Sequence, residues 1–200
     1  MHIPACRVRL SYTAILLIAL VLSALNATSH SSAHAAGGIF SLYLPVAIVS
    51  ANTGLAATSV EQQVVDLVNQ ERSRNGCTVA LTIAPQLSAA AYEHSRDMAI
   101  NNLFSHKGSD GSSMISRIQQ AGYSFRQLAE NIAAAPSTPK AVVEMWMESS
   151  GHRANILNCS LQDIGVGYYD QPDDQANVRL DSGTLTGPFR YYWTQDFGSH

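Results

Sequence analysis

From Ser59 onward the chain shows helical spacing first and two-residue alternation later. Val60, Val64, Leu67 and Val68 fall on one helical face, and Ser59 with Gln62 three residues on makes a capping box. That helix stops at Asn75-Gly76. The short apolar stretch "TVALTI" follows, and Pro85 then leads a second helix with Leu87, Ala91, His94 and Met98 on one face. "SSMISRIQQAGY" predicts a third, shorter helix ending at Gly122. From Pro139 to Ser149 a fourth helix turns Val142, Val143, Trp146 and Met147 inward, while Lys140, Glu144 and Glu148 share the solvated face. "ANIL" continues a last short helix, and "IGVGYY", "ANVRLD" and "RYYWTQDF" alternate as strands do. There is no internal repeat. Helices around a few late antiparallel strands predict a layered α+β domain over residues 59–200.

The residues before this domain carry a different pattern. Arg7 and Arg9 precede the apolar run "AILLIALVLSAL" (Ala14 to Leu25), and "SAHAA" follows around Ala33 and Ala35. These are the three parts of a secretory signal over residues 1–35, cut after Ala35 or, as the alternative, after Ala27. The run is shorter than the ~20 residues a bilayer span requires, so no stable transmembrane span is expected. Residues 36–58 have no charge and no helical period, and read as a linker. Within it "IFSLYLPVAIVS" is either a docked strand or an exposed apolar segment, and Pro45 argues against a central strand.

Composition narrows the function. The net charge of −3 is mild, and the 12 Lys and Arg residues form no run, which excludes a nucleic-acid footprint. Signal removal takes Cys6 and leaves Cys77 and Cys159 in an oxidising compartment. An even pair there forms a disulfide, or else the two are separate buried thiols.

Three polar residues stand in apolar or turn contexts: His106 in "FSHKGSDG", Glu130 in "LAENIA" and His152 in "SSGHRANIL". A buried Glu130 requires a partner, because an unpaired charge in an apolar setting is costly. None of the spacings is a metal motif, and HExxH, GxSxG, Walker and CxxC signatures are absent. His94 lies on an apolar stripe and reads as a satisfied core histidine. Asp110 in "GSDG" reads as a turn residue that accepts backbone amides, and Trp146 and Trp193 read as core. The sequon at Asn158 carries no expectation.

"SHKGSDG", "AENIA", "WMESSGHRANIL", "IGVGYY" and "YYWTQDFG", in this order, strongly resemble the CAP superfamily of cysteine-rich secretory, antigen 5 and pathogenesis-related proteins, in its bacterial SCP-like extracellular branch. The resemblance covers about Ser59 to Gly198. It implies an α-β-α sandwich with a small antiparallel sheet between helices, and a cleft lined by two histidines and two acidic residues. His106, Glu130 and His152 match three of those four. Ser149 stands where the second glutamate would be, and Glu148, one residue earlier, is turned about 100° away on a helix. Asn131 and Gln195, beside the motifs, are candidate donors to Glu130 or to a histidine.

Two imidazoles and a carboxylate with an open position would suit a divalent cation such as zinc. His152, in the first turn of its helix, is expected to be neutral under the helix dipole. The alternative is a His–Glu–His cluster that stiffens the domain and binds no metal. The resulting expectation is a secreted, extracellular binding module for a divalent cation and a small apolar, cell-envelope or protein ligand. The competing expectation is a metal-dependent hydrolase acting on peptide or cell-wall bonds, in which a bound ion activates water.

Overall fold

The computed structural model describes residues 59–200; the expected signal and linker lie outside the described residues. Five helices, α1 (Val60–Arg74), α2 (Pro85–Ile100), α3 (Met114–Gln120), α4 (Pro139–Glu148) and α5 (Ser150–Ile156), are interleaved with seven strands. These are β1 (Thr82–Ile83), β2 (Leu103–Phe104), β3 (Gln127–Ala134), β4 (Asp163–Asp170), β5 (Val178–Leu180), β6 (Leu185–Thr186) and β7 (Tyr191–Ser199). The main sheet runs β1-β4-β7-β3 and a smaller one runs β2-β5-β6. No helix among the described residues is long and apolar enough to cross a membrane.

The fold is α+β, with two departures from the expected sheet. "LAENIA" is itself a strand, β3, antiparallel to β7 with Glu130 opposite Asp196 and Asn131 opposite Gln195. The sheets are also mixed rather than wholly antiparallel, since β1 pairs β4 and β2 pairs β5 in parallel. Both parallel pairs are two residues deep, too short to leave a periodic signal in the sequence.

Alternation along the strands builds the two faces. Ala133, Ile164, Val166, Trp193 and Phe197 meet Val64, Val65 and Val68 of α1 and Val142, Val143 and Trp146 of α4. On the other face α2 lies directly against β4. A Cβ at Gly165 would strike the Leu87 and Ser88 backbone, and one at Gly167 the backbone of Ala91 and Tyr92, which is why "IGVGYY" alternates with glycine. The outer edge of β3 is covered by side chains: Trp146 Nε1 donates to the Ile132 carbonyl and Asn155 Nδ2 to that of Glu130.

The cap of α1 differs from expectation. Ser59 Oγ accepts the Gln62 amide, but the Gln62 side chain turns forward to Asp66, so only half the box forms. The reciprocal box is at α3, between Ser113 and Ser116. Lys140, Glu144 and Glu148 are exposed, as helical phase required. Cys77 and Cys159 form a disulfide that ties the end of α1 to the turn before β4.

Candidate functional site

The site is built on the α2 face of the sheet, where β3 presents Glu130 and the loop between β2 and α3 presents His106. That loop is pinned from two helices. Asp97 of α2 accepts the Ser109 amide and hydroxyl, while Arg117 of α3 donates to the carbonyls of His106 and Ser112. Asp110 accepts the Ser112 amide, the turn role expected for it. Anchored in this way, His106 places Nδ1 2.7 Å from Glu130 Oε1. Arg117 Nη2 lies 2.6 Å from Oε2. The Glu130 side chain is 3% exposed and Arg117 10%, whereas His106 is 53% exposed and faces the cleft.

The partners of Glu130 are therefore one imidazole, one guanidinium and the neighbouring Asp196 carboxyl, not two imidazoles. Burial by itself would raise the Glu130 pKa, but the hydrogen bond from His106 and the charge of Arg117 outweigh it and hold the group ionised. That same hydrogen bond raises the His106 pKa against a smaller opposing effect of burial. Asp196, across the strand pair, is 1% exposed, and burial followed by the adjacent Glu130 charge pushes its pKa well up.

His152 lines the same cleft from α5 without bonding Glu130; its Nδ1 is buried without a protein partner. Its pKa is lowered, as expected, yet burial and then the nearby His106 are the causes, rather than the dipole of a seven-residue helix. Ser149 is the junction between α4 and α5, with no side-chain capping bond. Neither the Asn131 nor the Gln195 side chain is hydrogen-bonded to the Glu130 carboxylate or to an imidazole ring. Alternation places them on the opposite sheet face, where Asn131 Nδ2 donates to the His152 carbonyl and to Gln195 Oε1 and so ties α5 to the sheet.

The chemistry of these donors decides how the cation expectation fares. Among the described residues no three His, Cys, Asp or Glu side chains are grouped to hold a metal ion. Glu130 already has a cationic or N–H donor on each oxygen, so the trio His106, Glu130 and His152 does not form the ligand set expected of it. What does converge on the cleft is a pair of imidazoles, one of them oriented by a carboxylate.

Two pockets adjoin His106. One of about 490 Å³ is lined by His106, Lys107, Gly111, Ser113, Met114 and Glu130. The other, of about 330 Å³, is lined by Phe104, His106, Ile132, His152, Leu180, Asp181 and Ser182. Arg117 and Asp196 were missed in the sequence. Arg117 carried a signal: with Met114 and Ile118 it shares a helical stripe, and a charge on such a stripe requires a partner.

His94 lies beneath this site, fully buried, with Nε2 3.0 Å from the Ser105 carbonyl. A carbonyl only accepts, so Nε2 carries the proton; Nδ1 has no protein partner, and the core histidine is half satisfied. Burial lowers its pKa from 6.5 to about 4. In that window the unfolded chain binds a proton that the folded chain does not, so stability should fall as pH falls. Between pH 7 and pH 4.5 the loss should be about 2.5 kcal/mol. Urea unfolding at the two pH values should show this for the wild type and a much smaller change for His94→Gln. The raised pKa of His106 acts elsewhere, its stabilisation being complete below 6.5 and lost at higher pH.

An α+β domain with an imidazole–carboxylate cleft, helices on both faces and this order of motifs defines a CAP-type domain. The sequence signature of the cysteine-rich secretory protein family, CAP, matches residues 65–197, and the chain belongs to that family. It is 36% identical over 157 residues to the uncharacterised protein YkwD of Bacillus subtilis (strain 168), covering 76% of this chain and 54% of that one. A Bacillus subtilis protein named as a membrane protein, YlbC, is 36% identical over 118 residues, 57% of this chain and 34% of its own length. Among solved structures, an extracellular SCP-domain protein of Bacillus anthracis superposes with a TM-score of 0.59 at 33% identity, over 70% of this chain and 40% of that one. An outer surface protein of Borrelia burgdorferi shares the fold at 17% identity with a TM-score of 0.55, over 72% and 96% of the two chains. The chain thus spans about half or less of the length of its Bacillus relatives.

Proposed function

We propose that this CAP domain is a secreted binding module that seats a small, mainly apolar ligand or an apolar segment of a cell-envelope or protein partner against His106. The observation that carries the reading is the position of that imidazole: half exposed, fixed from behind by Glu130, with a pocket on either side. A ligand spanning both pockets would set apolar groups on Met114 at one end and on Phe104 and Leu180 at the other. Its polar group would then meet the imidazole, in the pattern of a few placed polar groups among apolar walls. Secretion is supported by the leader-like N-terminal pattern, the disulfide and the extracellular description of the Bacillus anthracis relative.

Titration with a neutral naphthyl amide, followed by NMR, tests the site. Shifts should concentrate on His106, Met114 and Leu180, and Met114→Lys should weaken binding about tenfold, the value of losing one buried methionine contact. Shifts spread evenly over the surface would sink the reading.

The 2.7 Å bond from His106 to Glu130 also supports a second reading, in which His106 acts as a general base on a hydrolysable peptide or cell-wall bond. Among the described residues no hydroxyl or thiol is hydrogen-bonded to His106 to serve as a nucleophile, which favours binding. Casein and peptidoglycan incubated with wild type and with His106→Ala discriminate the two. Turnover by the wild type alone would establish the enzyme.

A further inference from the structure

We propose that Arg117 takes over in this cleft the electrostatic role of a metal cation, closing Glu130 to divalent ions and leaving the imidazoles free to face the ligand. Three observations converge on Arg117. It reaches Glu130 Oε2 at 2.6 Å while almost fully buried, and its other terminal nitrogen holds the carbonyls of His106 and Ser112, so the same cation neutralises the carboxylate and shapes the loop that carries His106. Glu130 Oε1 is taken by His106 Nδ1, so neither carboxylate oxygen is without a donor. The second acidic position is lost to Ser149 and Glu148 points into solvent, so no second glutamate stands beside Glu130 to share a divalent ion.

The charge count makes the same point. Glu130 and Arg117 form a buried ion pair at 2.6 Å whose charges cancel. A divalent ion entering between Glu130 and the imidazoles would have to displace a buried guanidinium from its only carboxylate partner among the described residues. It would also compete with a charge-assisted bond in a dry setting, where such bonds are strongest. Arginine suits this use because it stays charged when buried and can bond a carboxylate and two carbonyls at once.

The inference concerns the cation alone and does not depend on which apolar ligand the cleft takes. Zinc chloride titrated calorimetrically into wild type, Glu130→Gln, Arg117→Gln and the double variant tests it, with circular dichroism to confirm folding. Wild type and Glu130→Gln should behave alike within about twofold. Arg117→Gln should bind zinc at least tenfold more tightly, because the carboxylate is released, and the added Glu130→Gln should abolish the gain. A tenfold loss of zinc affinity in Glu130→Gln would overturn the proposal, as would a folded Arg117→Gln with no gain. If Arg117→Gln does not fold, the comparison of wild type with Glu130→Gln still decides, a change within twofold supporting the proposal and a tenfold loss overturning it.

Discussion

Reducing the Cys77–Cys159 bond should lower the stability of the domain by about 4.5 kcal/mol, the chain-entropy value for a loop of this size. The two cysteines are 82 positions apart, so the bridge removes a large share of the freedom of the unfolded chain. It also joins the C-terminal end of α1 to the turn that feeds β4, two elements with no backbone pairing of their own. Urea unfolding of oxidised protein, reduced protein and a Cys77→Ala, Cys159→Ala variant measures the effect. The reduced and double-alanine forms should agree, since both lack only the cross-link. A loss under 1 kcal/mol would show that native packing already restricts the unfolded ensemble.

Arg72→Met should be nearly as damaging, at about 4 kcal/mol, because Arg72 is 1% exposed and has no carboxylate partner among the described residues. Its guanidinium donates to the carbonyls of Ile156 and Asn158, each at 2.8 Å, and of Leu161 at 3.0 Å. Those carbonyls are the end of α5 and the turn after it, where the helix dipole is negative and no further amide follows. Methionine fills part of the volume but leaves buried acceptors without donors. Thermal and urea unfolding of Arg72→Met measure the loss, and a change below 1 kcal/mol would mean that water reaches the freed carbonyls. Arg72 and the disulfide hold the same segment, 156–161, so the two perturbations should not add, and a double-mutant cycle should give a coupling of at least about 0.5 kcal/mol.

The two buried arginines show what sequence reading captured and what it overlooked. Arg72 recurs four residues after Val68 and eight after Val64, on the stripe that packs against the sheet. Arg117 recurs three residues after Met114, on the stripe that carries Ile118. The rule that a charge in an apolar setting requires a partner was applied to Glu130 and would have found both. It found the need; the resemblance put His106 in the same cleft, whereas Arg117, 13 residues away on another element, was found only in the fold. The long helices, the strands of "IGVGYY" and "RYYWTQDF" and the outward Glu148 were legible, since each depends on periodicity within one element. β3 was not, because buried on both faces it shows no alternation of apolar and polar residues.

The sequence by itself determined the long helices and the two long late strands, the layered α+β class, the exposure of Glu144 and Glu148, and, through its ordered motifs, the family. Those properties follow from local spacing and from side chains that each element sorts inward or outward. Only the tertiary structure decided the pairing of Glu130 with His106 and Arg117 and the placing of Asp196 opposite it. It also sent Asn131 and Gln195 to the far face of the sheet. These depend on strand register: a shift of one residue exchanges the two faces, and with them the groups that meet Glu130. The charge state of the cleft is set by that register and by the loop that α2 and α3 hold over it.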